Sequence, residues 1–194
     1  MKRITIVCSI AGLLFMAACT PPSIEPFYSE KTLVRDPSLP GLWRNSNTRE
    51  LIEFSATPQG TYECKYSLES FRAVLFELGG ERYLDVYPLD RGPERNALHE
   101  MTYIPAHILF RVVREDNHLR MALLDPEWLD DYLGEDSTLQ YSVTSRGVLL
   151  TGPTEQIQAF LMSHGDDPAA FAHWSEWRRL PSLPSNSGSL SPTK

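Results

Sequence analysis

The stretch FRAVLFELGGERYLDVYP, residues 71–88, decides the fold. Two runs rich in β-branched and aromatic residues flank the pair Gly79-Gly80. Adjacent glycines tolerate positive φ at both central positions of a two-residue turn, so this reads as an antiparallel hairpin. The first arm is apolar on both of its faces. A strand of that kind needs cover on its outer side as well as its inner one.

The same reading extends in both directions. LIEFSA (51–56) meets the turn signal TPQG and then the alternating run GTYECKYSL (60–68). AHILFRVV (106–113), REDN and HLRMALL (118–124) form another hairpin signal, and LQYSV (139–143), SRG and VLLTG (148–152) a third. With Gly41-Leu42-Trp43 this makes about nine short strands on short connections. The pattern predicts an all-β dominated fold, an antiparallel sheet closed or folded on itself.

Two helices are expected as its outer cover. PEWLDDYLGE (126–135) places Trp128, Leu129, Tyr132 and Leu133 on one stripe. PTEQIQAFLMSHG (153–165) has Pro153 at its first turn and Gly165 at its stop, with Ile157, Phe160, Leu161 and His164 on the buried side. A short third helix is expected from Asp167-Pro168 through Phe171 and Trp174.

The front of the chain is of another kind. Lys2 and Arg3 precede an uncharged apolar run, Ile4 to Ala18, that is too short for a comfortable membrane span. A charged head, a short apolar middle and small residues at the end are the plan of a cleaved secretory signal, here residues 1–18. Phe15-Met16-Ala17-Ala18-Cys19 resembles the lipobox of bacterial lipoprotein precursors. That resemblance implies a thioether-linked diacylglycerol on Cys19, cleavage between Ala18 and Cys19, and acylation of the new amino group. A thiolate is the good nucleophile for such chemistry, and two or more chains give stable attachment. Thr20, not Asp, follows the cysteine. By the same resemblance the address is the periplasmic face of the outer membrane more than the inner membrane.

Residues 19–40 hold five prolines and no sustained period, so they read as a lipidated flexible tether. Residues 41–180 read as the barrel domain with its C-terminal helices, and the Ser/Pro-rich residues 181–194 as a disordered tail. The whole chain of 194 residues carries a net charge of −7, and loss of Lys2 and Arg3 with the signal makes it more negative. Nucleic-acid binding rests on basic side chains, so no nucleic-acid partner is expected. Of three cysteines, Cys8 leaves with the signal and Cys19 carries lipid, so Cys64 has no disulfide partner. It shares a strand face with Tyr62, Tyr66 and Leu68 and reads as a small buried hydrophobe.

Gly41-Leu42-Trp43 resembles the G-x-W entry motif of lipocalins, which implies that Trp43 plugs the closed end of an eight-stranded barrel. The helix at 153–165 also looks lipocalin-like, and this resemblance spans roughly residues 41–164. LGGERYLDVYP, the strand around His107 and TEQIQAFL resemble a set of uncharacterised bacterial proteins with a lipocalin-like barrel. That second likeness supports the fold and implies no chemistry.

One polar group is a candidate site. Tyr83, Asp85 and Tyr87 share a strand face, and so do His107 and Arg111. If the strands are neighbours, Asp85 meets His107 or Arg111, as a ligand cluster, a catalytic orienting pair or a structural ion pair. No nucleophile motif accompanies it. The acidic residues Asp125, Glu127, Asp130, Asp131, Glu135 and Asp136 lack calcium-loop spacing. His99, His118, His164 and His173 lack ligand spacing, so neither metal nor cofactor is expected. The connection 88–105 is long, and reads either as a flap over the barrel mouth or as a surface excursion. The chain is read as a non-enzymatic envelope protein. It serves either interaction and assembly through a filled barrel or binding of a small apolar ligand in a hollow one. A hydrolase built on His107 and Asp85 would need the pair in an open cleft.

Overall fold

A computed structural model describes residues 20–89, 104–134 and 138–181. The strands are β1 Gly41–Asn45, β2 Leu51–Ala56, β3 Tyr62–Tyr66, β4 Glu69–Leu78, β5 Glu81–Pro88, β6 Ile108–Glu115, β7 His118–Leu123, β8 Tyr141–Thr144, β9 Gly147–Leu150 and β10 Trp174–Arg179. The helices are α1 Pro126–Gly134 and α2 Thr154–His164. Gly79 and Gly80 both take positive φ, 63° and 84°, and close the β4–β5 hairpin with Leu78 opposite Glu81. Every neighbouring pair in the order β1-β10-β7-β6-β5-β4-β3-β2 is antiparallel, and the sheet closes into an eight-stranded barrel. The expected fold class is therefore the observed one.

The two-sided apolar pattern of β4 has a direct cause. Ala73 and Leu75 face the lumen with Leu84, Val112, Leu119 and Met121. Val74 and Phe76 face outward, and Phe76 joins a second core with Tyr83, Leu109 and Leu124. Helices α1 and α2 roof this outer core through Leu129, Leu133, Ile157, Phe160 and Leu161. The barrel thus has one core inside and another pressed against its β4–β7 wall.

Three expectations need correcting. The first is the third helix. Residues 168–171 form turns, and Trp174–Arg179 is β10, which fills the gap between β7 and β1. Alternation in WSEWRR sends Ser175 and Trp177 inward, and a ladder on each side outweighs the local tendency to coil. The closing strand therefore follows α2, beyond the 41–164 stretch that carries the lipocalin likeness. Second, the hairpin β8–β9 is a separate two-stranded sheet and not part of the barrel.

The third correction concerns the tether. Residues 20–40 do not hang free; they form a strap packed along the barrel. Ser23 exchanges backbone hydrogen bonds with His107 at 2.9 and 2.8 Å, and on its other side the strap pairs with Leu150 of β9. Phe27 is fully buried in the outer core. Its carbonyl accepts a bond from Gln158, and the Pro26 carbonyl one from Thr154, so α2 clamps the strap. After a 3-10 turn at Glu30–Thr32, Val34 donates to the Leu75 carbonyl and Leu39 packs under Trp43. Proline lacks an N–H and cannot make a continuous ladder. The strap is accordingly held by separate side-chain anchors, which leave no period in the sequence.

At the end of the barrel opposite the lumen opening, Asp36 receives Arg114 Nε at 2.6 Å and the Ser38 N–H at 2.8 Å. Burial acts to raise the Asp36 carboxyl, but these donors outweigh it and hold the group below its ordinary value. A lowered native pKa stabilises above the unfolded value of about 3.9 and is lost as pH falls through the lower native one. Below about pH 4 the wild-type strap should therefore loosen. Asp36→Asn, already uncharged, should flatten that acid limb in circular-dichroism melts. An unchanged slope would count against this anchor.

Candidate functional site

Among the described residues, the lumen opens at one end. There β3, β5 and β7 finish at Tyr66, Pro88 and Leu123, and β4 and β6 begin at Glu69 and Ile108. Between them lies an apolar cavity of about 310 Å³. Its wall comes from seven of the eight barrel strands, with Ile52, Cys64, Leu84, Phe110, Met121 and Trp177 lining it. Polar groups in the wall are satisfied by the protein: Trp177 Nε1 donates to Ser175 Oγ, which donates to the Met121 carbonyl, and the Tyr66 hydroxyl donates to Glu50. Nothing in that wall resembles a catalytic set. Its chemistry is that of carbon contact, which suits a slender apolar chain.

Trp43 and its neighbours seal the opposite end. The Trp43 ring is fully buried, and its Nε1 donates to the Leu39 carbonyl at 2.9 Å. The Arg179 guanidinium lies 4.4 Å from the ring centroid and donates to the carbonyls of Pro40 and Ser38. Trp43 thus stands where the sequence placed a barrel-end plug, and the strap supplies its lid. Cys64 sits in the lumen wall, where burial pushes its thiol up to about 12. That makes it a poor nucleophile at neutral pH.

Asp85 and His107 do meet, with Asp85 Oδ1 2.7 Å from His107 Nδ1. The other carboxylate oxygen accepts the Phe27 N–H at 2.9 Å. Tyr87 packs on the imidazole with ring centroids 4.5 Å apart. The pair lies on the outer wall under the strap, with Asp85 1% and His107 4% exposed. Arg111 does not join it. Its guanidinium pairs with Glu81 at 2.7 Å. The Ser23 hydroxyl on the strap is turned to Glu25. The pair is therefore within hydrogen-bond reach but not in an open cleft, and what it does in this geometry is fasten the strap.

The other sequence candidates scatter. Asp125 Oδ1 accepts the N–H groups of Glu127 and Trp128 and caps α1. Among the described residues no group of three or more His, Cys, Asp or Glu side chains is placed to hold a metal ion. Ala18, Cys19, His99, Glu135, Asp136, most of the 88–105 connection and residues 182–194 lie outside the described residues. Comparison with models of protein families, with curated proteins and with solved structures finds no match to the chain.

The strap was the feature that sequence reasoning missed, and a hollow lumen was one of the two readings it left open. Phe27 and Tyr28 are the strap's aromatic anchors amid prolines, and the Phe27 N–H finds its acceptor 58 positions away. Leu119, Met121 and Leu123 do alternate inward, so the lumen wall was legible. Whether that wall met in the middle was not.

Proposed function

We propose that this chain is a lipid-anchored envelope protein, on the periplasmic face of the outer membrane, whose barrel holds one small, slender apolar guest. The apolar cavity of about 310 Å³ carries the reading. It lies at the low end of ligand-pocket volumes, about 300–1,000 Å³, and favours binding over assembly through a filled barrel. The anchor is supported by the lipobox-like Phe15–Cys19 stretch. Thr20 is at the cavity mouth, so a lipid on Cys19 would set the mouth against the membrane.

The turns agree with that orientation. Leu68, Leu89 and Ile104 stand exposed at the mouth end. The turns at the other end are Thr57–Gly60, Gly79-Gly80 and Asp116-Asn117, which carry no large apolar side chain. Apolar residues exposed together mark a surface that meets lipid or a partner.

The test is a titration of the lipid-free chain, beginning at Thr20, with cis-parinaric acid, a slender fatty acid that fluoresces in apolar surroundings. Saturation at one per chain is expected. Met121→Trp, which fills the lumen, should weaken binding at least about tenfold, or 1.4 kcal/mol, while the far-ultraviolet spectrum stays the same. No saturable signal, or a folded Met121→Trp protein that binds as before, would remove the binding reading.

A further inference from the structure

We infer that in the anchored protein the guest of the lumen is an acyl chain of the protein's own lipid, carried on Cys19; this rests on the lipid attachment proposed above. Cys19 is one Cα step, about 3.8 Å, from Thr20. Thr20 is itself held down: it is 9% exposed, its Oγ1 donates to the Leu124 carbonyl at 3.3 Å, and it lines the cavity beside Phe110 and Met121. Three residues later Ser23 is paired on both sides, to His107 and to β9. The strap therefore holds Thr20, the residue bonded to Cys19 along the chain, at the lumen's opening.

A ligand so joined is tethered. Short tethers give effective concentrations in the millimolar range, ahead of free competitors at lower concentration. Each methylene moved from water into the lumen contributes about 0.8 kcal/mol. The lumen is too small to take a full set of lipid chains but suits one. Stable attachment to a bilayer needs two signals, and a single chain binds only marginally. Of the three chains implied on Cys19, housing one leaves two in the bilayer, which still suffices for stable attachment. The strap, fastened by Asp85, Asp36 and Trp43, is what makes this coupling between barrel and anchor geometrically available.

The experiment uses the full chain matured in its own envelope, in cells fed a diazirine-bearing palmitate. After irradiation the protein is digested and cross-linked peptides are identified by mass spectrometry. Expected are links between the lipidated Cys19 peptide and peptides carrying Phe110, Met121 or Trp177, and their loss in Met121→Trp. Label on Cys19 with links only to bilayer lipids overturns this inference and leaves the anchor standing. Lumen peptides joined to a labelled phospholipid, not to the Cys19 peptide, overturn it in favour of a guest taken from the membrane. A chain that carries no label overturns both the inference and the anchor, whereas the parinaric acid titration still reports on the lumen.

Discussion

Asp85→Ala should cost about 2–6 kcal/mol of stability, because it strands two buried groups at once. Phe27 N–H and His107 Nδ1 both bond to this carboxylate, at 2.9 and 2.7 Å. A buried polar group left unpaired costs about 1–3 kcal/mol, and neither site is open to replacement by solvent. Asp85→Asn keeps one acceptor oxygen and should fall between wild type and Asp85→Ala. The damage should be local first: amides of the strap around Ser23 and Phe27 should lose hydrogen-exchange protection before those of β6 and β7. Chemical denaturation gives the total and exchange gives the place. A loss under 1 kcal/mol, or protection lost evenly over the barrel, would mean that the pair does not fasten the strap.

Trp43→Ala should be the most damaging single truncation in the lumen, at about 3–5 kcal/mol. In a domain of this size each kcal/mol moves the melting temperature by about 2–4 °C, so a fall of roughly 10 °C is expected. Besides leaving a void, the change removes the ring under Arg179 and the donor to Leu39 that ties the strap to the barrel floor. Trp43→Phe restores most of the ring but not the N–H, and should recover more than half of the loss. If Trp43→Ala melts within 2 °C of wild type, the closed end is sealed by the strap alone.

The particular residues show what was readable. Gly79-Gly80 and the alternation on either side gave the hairpin because turn chemistry is local. Apolar residues on both faces of β4 announced an outer cover, and α1 and α2 provide it. The closing strand was misread as helix because Phe171 and Trp174 match a helical spacing. What distinguishes strand from helix there is the vacancy between β1 and β7, a fact about the far parts of the chain. For the strap, composition was misleading in a different way. Five prolines describe an extended chain equally well whether it is free or docked, and the deciding contacts, Asp85 on Phe27 and Arg114 on Asp36, span 58 and 78 positions. At the candidate site, the shared faces of Asp85 with Tyr87 and of His107 with Arg111 were visible, but whether Asp85 meets His107 or Arg111 waited on strand order and register. That the Asp85 face looks outward, under the strap, was decided by barrel closure.

Methyl resonances give the most direct measurement of whether the lumen accepts an apolar guest. The lipid-free chain, labelled with ¹³C at methionine, leucine and isoleucine methyls, is titrated with decanoate. The Met121, Leu84 and Ile52 methyls of the lumen should shift together and saturate at one guest per chain. Those of Leu129, Ile157 and Leu161 in the outer core should stay where they are. If the lumen methyls do not move while the outer-core methyls do, or if none moves at all, the barrel is not a container for an apolar chain.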